Sequence, residues 1–158
     1  MHELILLRHA HADPAVPGEA DLDRPLSADG HAEAEAAARW LQEQRLIPDC
    51  VLCSPARRTR ETLEIVLGTL GYVDQRLEPA VYEASAGTLA ALIDAHRELD
   101  RLLVVGHNPG LERLAALMHS GQSGDYRGMP PAGIAVLEFP AGAAIEPGAA
   151  TLSAFWWP

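Results

Sequence analysis

Arg8 and His9 follow at once on an apolar run, Leu4-Ile5-Leu6-Leu7. A guanidinium beside an imidazole can hold an oxyanion and deliver a nucleophile or a proton to it. Two further junctions carry similar chemistry. Ser54-Pro55 follows the run Asp49–Cys53 and precedes Arg57, Arg58 and Arg60, while Gly106-His107-Asn108-Pro109 follows Leu102-Leu103-Val104-Val105. Each of these two reads as a strand, an N-cap residue, proline at the first helical position and a helix. The free N–H groups and positive dipole end of such a helix favour an anion. Three arginines in one first turn oppose that dipole by a few tenths of a kcal/mol each, a penalty that a bound anion reverses. For Arg57 and Arg60 the simpler reading is a solvated face partnered by Glu61 and Glu64.

His9 and His107, each at the end of an apolar strand, are read as a pair rather than as two core histidines. His11 adds an H-x-H, but no third ligand lies nearby in sequence, so no metal site is expected. His2, His31, His96 and His119 read as terminal, surface or core-edge residues.

These side chains need a scaffold, and the apolar pattern supplies one. A four-residue aliphatic run is the mark of a strand buried on both faces of a sheet. After the first strand comes a Pro-, Gly- and Asp-rich loop, His11 to Pro25. A helix is predicted over about Ser27 to Arg45, with Ala34, Ala37, Ala38 and Leu41 as its apolar stripe and Glu35–Arg39 as an i,i+4 pair. The second strand, Asp49 to Cys53, leads into a helix with Leu63, Val66, Leu67 and Leu70 on one face and Gly71 as its stop. A weak strand near Arg76 to Glu78 precedes a helix bearing Leu89, Leu92, Ile93 and His96. The strand Leu102 to Val105 leads into a helix with Leu111, Leu114, Ala115 and Met118, and strands Ile134–Phe139 and Thr151–Trp156 close the chain. Alternating strands and helices with a final hairpin-like pair argue for an α/β fold, a three-layer α/β/α sandwich with a mostly parallel central sheet. In such sheets ligands bind beyond the carboxyl ends of the strands.

Composition narrows the function classes. With 158 residues and 48% hydrophobic content, one domain over 1–158 with a full core is expected. The net charge of −10 argues against nucleic acid or anionic lipid as partner. Every basic residue is arginine, which excludes Schiff-base chemistry and a P-loop. No run suits a membrane span or signal peptide, and a cytoplasmic location is expected. Cys50 and Cys53 form a C-x-x-C inside a strand, where residues three apart face opposite sides, so two buried thiols are expected. Phe155-Trp156-Trp157 reads as core packing, with a dimer contact as the alternative, and the protein as a monomer or weak dimer.

The motifs resemble a known family. Arg8-His9-Ala10 looks like the R-H-[GA] motif of the histidine phosphatase superfamily, which has the phosphoglycerate mutase-like fold. Ser54 to Thr62 resembles its S-x-x-x-R-[AT]-x-x-T segment, which selects Arg58 as the second phosphate arginine, and Val105-Gly106-His107-Asn108 resembles its late G-H motif. Asp23-Arg24-Pro25-Leu26 and Val105 to Gly110 are similar to the SixA-type phosphohistidine phosphatase branch. The resemblance implies a metal-independent, cofactor-free hydrolase with His9 as nucleophile and Arg8, Arg58 and a protonated His107 as phosphate clamps. Asn108 joins them at the substrate, with Ser54 at the edge, and Arg24 either lines the rim or is salt-bridged to one of the nearby aspartates. It implies a phosphorylated protein or small phosphorylated metabolite as partner. Glu83 stands where larger relatives keep a general acid; it is either that acid, which would favour a phosphomonoester, or an ordinary loop glutamate. Two other classes stay open: a non-catalytic phosphoprotein-binding module, and a zinc or redox protein built on Cys50, Cys53 and His11.

Overall fold

The computed structural model describes residues 1–124 and 128–158. Its strands are β1 (Glu3–Arg8), β2 (Cys50–Cys53), β3 (Asp74–Leu77), β4 (Arg101–Gly106), β5 (Ile134–Glu138) and β6 (Thr151–Trp156). The helices are α1 (Ala28–Glu43), α2 (Arg57–Leu70), α3 (Ala86–Asp94) and α4 (Gly110–Ser120). One six-stranded sheet has the order β3-β2-β4-β1-β5-β6. β3, β2, β4 and β1 run parallel to one another, while β5 pairs antiparallel with both β1 and β6.

The central strands are apolar on both faces because helices cover both. Leu4, Leu6, Leu52, Leu102 and Val104 pack with α3 and α4 residues such as Leu89, Ile93, Leu111 and Leu114. Ile5, Leu7, Val51, Leu103 and Val105 pack against Ala34, Ala37, Ala38 and Leu41 of α1 and Leu63 and Val66 of α2. The alanine stripe lets α1 lie close to the sheet, and all four of its expected residues are fully buried. Cys50 and Cys53 fall in opposite layers, as a strand requires.

The register places three strand ends side by side. Arg8 is level with Gly106, and Cys53 with Val105. Because β4 lies between β1 and β2, the residues after β1, β2 and β4 emerge at one edge of the sheet.

Several local expectations are corrected. Neither proline opens its helix: α2 starts at Arg57 after Ala56, and α4 starts at Gly110 after Pro109. Ser54 is turned toward a histidine instead of capping α2. Glu35 and Arg39 form no ion pair among the described residues; both lie on a wet helix face where side-chain entropy opposes pairing. Arg57 does pair with Glu61, at 3.4 Å, but Arg60 donates to the Pro55 carbonyl rather than to Glu64. The aromatic tail is only partly core. Trp156 stacks on Trp40 with ring centroids 5.6 Å apart, while Trp157 is exposed. No helix of the described residues is long and apolar enough to cross a membrane.

Candidate active site

A cavity of about 580 Å³ lies over the adjoining ends of β1 and β4 and the start of α2, with Arg8, His9, Arg58 and His107 in its wall. The His9 and His107 rings are 5.2 Å apart, tilted by 56°. His9 Nδ1 lies 2.7 Å from the Ala10 carbonyl. A carbonyl only accepts, so Nδ1 carries the proton and the Nε2 lone pair is free. The loop holding this ring is tied to α2: the Ala10 N–H donates to Thr62 Oγ1, which itself donates to the Arg58 carbonyl. Thr59 donates to the carbonyls of Ser54 and Ala56, fixing the turn that delivers Arg58.

His107 is held from both sides. Nε2 is 2.7 Å from Ser54 Oγ, and Arg58 Nη2 approaches Nδ1 at 3.4 Å. A guanidinium only donates, so Nδ1 is the acceptor and Nε2–H points to Ser54. Burial is the first cause that depresses both rings, backed by Arg8 and Arg58: His9 is lowered to about 4 and His107 to about 3. Burial and the converging arginines thus favour the neutral form of His107 here, while the protonated ring expected from the sequence belongs to a site that holds phosphate.

Arg8 and Arg58 are anchored by groups far away in sequence. Arg8 Nη1 donates to the Met129 carbonyl at 2.8 Å, and Asn108 Nδ2 donates to the same oxygen and to Glu112. Arg8 Nε has no hydrogen-bond acceptor among the described residues, although it is buried. Arg58, nearly buried, donates from Nη1 and Nη2 to the carbonyl and carboxylate of Asp21, at 2.8 and 3.0 Å. Tyr82 also donates to that carboxylate, at 2.6 Å, and sets its ring edge against His107. The Tyr82 hydroxyl first, then Arg24 and Arg58, hold the Asp21 carboxyl far below the usual carboxylate range.

Every sequence-selected site residue except Ser54 lines this cavity, and Ser54 touches it through His107. Arg24 does so while bonding Asp21 and the Asp13 carbonyl, so rim and ion pair are not alternatives. Glu83 is exposed at the mouth, has no side-chain partner among the described residues, and sits at φ 56°. A non-glycine residue in the left-handed region is uncommon and marks strain, which gathers at functional sites. His11 instead pairs with Glu33, 2.6 Å away. Among the described residues no three metal-ligating side chains converge. Sequence reasoning missed Asp21, Tyr82 and Met129. For Asp21 the only signal was its place in an Asp-rich loop beside Arg24; Met129 contributes a backbone carbonyl, which no side-chain pattern marks.

A largely parallel sheet with two histidines and two arginines at its carboxyl edge suits an α/β enzyme that handles oxyanions. The sequence pattern of the histidine phosphatase superfamily (branch 1) matches residues 4–101. An uncharacterised protein of Mycobacterium tuberculosis is 38% identical, with 94% of this chain and 98% of that protein covered. The phosphohistidine phosphatase SixA of Escherichia coli is 30% identical over 72% of this chain and 73% of its own. A solved structure of the protein histidine phosphatase SixA complexed with tungstate superposes with a TM-score of 0.82 at 25% identity, covering 99% of this chain and 97% of that one. The chain belongs to the histidine phosphatase superfamily and is of the SixA type. It is a phosphatase.

Proposed function

We propose that the protein hydrolyses phosphohistidine in proteins, without metal or cofactor, through a phosphoryl group carried on His9. The observation that carries this reading is the His9 tautomer: Nδ1–H is committed to Ala10, and the Nε2 lone pair belongs to a ring lining a cavity with Arg8 and Arg58. Burial keeps that lone pair unprotonated well below neutral pH.

In this mechanism the substrate imidazole is first protonated from solvent on its other nitrogen, Nε2 of His9 attacks phosphorus in line, the P–N bond breaks, and neutral imidazole leaves. The arginines hold the equatorial oxygens through charge-assisted hydrogen bonds. A phosphate dianion in the cavity opposes the depression that burial and then the neighbouring cations impose on His107, and so favours the protonated ring as a third clamp. Water then attacks phosphorus, the bond to His9 breaks, and inorganic phosphate departs. The names of the SixA relatives support the substrate class, and the complex of one of them with tungstate, an oxyanion, is consistent with it. The two unpaired cysteines suit a reducing compartment, and a cytoplasmic location completes the reading.

Glu83 favours a second substrate. In its protonated carboxyl form Glu83, at the mouth of the cavity, would donate to the alkoxide leaving group of a small phosphomonoester. A substrate panel containing both classes, with acid quench, tests the reading. Phosphate is expected on His9 in the native protein and absent from His9→Ala. Retained turnover in His9→Ala would overturn the mechanism, and a binding module without catalysis would label neither.

A further inference from the structure

Asp21 lies outside the motifs that mark the site, yet more of the site is bonded to it than to any motif residue. Its carboxylate accepts from Arg58 Nη2, from Tyr82 Oη and from Arg24 Nη1, and its carbonyl accepts from Arg58 Nη1. Three segments therefore meet on one residue: its own loop through Arg24, the first turn of α2 through Arg58, and the segment before α3 through Tyr82. Isolated surface ion pairs contribute little, but a two-point arginine clamp inside a network is the exception.

The geometry points to Asp21 as a positioning residue that presents the Arg58 guanidinium to the transferring phosphoryl group, an inference that rests on the phosphatase reading above. Asp21 occupies one N–H on each terminal nitrogen, and the other Nη2–H faces His107 Nδ1. Nε–H and the second Nη1–H remain without an acceptor among the described residues. Rotation of the guanidinium would break two bonds to Asp21, so the remaining N–H groups keep their directions. Asp21 also opposes phosphate by charge. A site built only to bind phosphate gains nothing from a carboxylate on its arginine, whereas a catalytic site gains order at the transition state.

That opposition gives the inference a signature. Removing the carboxylate makes the site more positive and less ordered, so ground-state affinity for an oxyanion and turnover should separate. For Asp21→Ala we expect kcat to fall on the order of 10- to 100-fold, with the inhibition constant of inorganic phosphate unchanged or tighter. Asp21→Asn, which keeps an acceptor oxygen, should retain more turnover. Arg58 Nη proton signals should be resolved in the native protein by NMR and averaged in Asp21→Ala.

A kcat within about twofold of the native value in Asp21→Ala would overturn the inference, as would equal losses in kcat/KM and phosphate affinity. If the native protein turns over no substrate in the panel, the phosphatase reading fails instead. The Arg58 signals then decide alone whether Asp21 holds the guanidinium.

Discussion

The rings of His9 and His107 sit 5.2 Å apart, both depressed by burial, and each has a different nitrogen protonated. His9 gives its Nδ1 proton to a carbonyl, while His107 keeps its proton on Nε2, facing Ser54. Two chemically identical side chains thus gain different roles from their partners.

The pair makes stability depend on pH. In the unfolded chain both rings return to about 6.5. Below that value the unfolded state binds protons that the native state refuses, until the pH nears 4. The contribution is complete above about pH 6.5 and is lost as the pH falls. Between about pH 7 and about pH 5 each ring should remove about 1–2 kcal/mol. Urea midpoints should fall over this range, with a shallower fall in His9→Asn. A midpoint flat across it would contradict the buried neutral pair.

Glu83→Gln separates the two substrate classes. An alkoxide leaving group needs a donor, so hydrolysis of an alkyl phosphate should fall about 10²- to 10⁴-fold. Phosphohistidine turnover should change little, because an imidazole leaves readily once protonated. Parallel steady-state kinetics on both substrates provide the check, and equal large losses would reject the distinction.

Gly110 should not tolerate a methyl group. A Cβ there would lie 2.4 Å from the Ala84 carbonyl oxygen, a backbone atom of the segment that carries Tyr82 and Glu83. Gly110→Ala should cost about 1–3 kcal/mol, as overpacking does, and displace that rim. Thermal unfolding and kcat should fall together; an unchanged Tm would show that the segment yields freely.

The cysteines should be inert in the native protein. Burial pushes the Cys53 thiol up to about 12 and raises Cys50 as well. A thiol reagent should label neither residue until denaturant is added. Rapid labelling of the folded protein would revive a redox reading.

The contrast between Arg58 and Asp21 separates what local sequence carries from what it does not. Arg58 belongs to a contiguous pattern, strand then turn then helix, whose apolar period is visible along the chain. The same holds for Arg8 with His9 and for His107, each set directly after a strand buried on both faces. Asp21 reaches Arg58 across 37 residues, and Met129 reaches Arg8 across 121. Neither distance leaves a periodic trace. The weak signal for β3 has a related cause: the strand is an edge, all four of its residues are exposed, and it carries no apolar run.

The chain alone settled the α/β class and the helix faces, because these follow from periodicity; strand ends singled out Arg8, His9 and His107, and the resemblance to the superfamily's motifs added Arg58. Only folding decided that β4 would insert between β1 and β2, bringing three strand ends together. Only folding decided that burial would depress His107, and that Arg58 would be held by a loop aspartate. Protonation and orientation depend on burial and on neighbours distant in sequence, and a linear pattern holds no record of either.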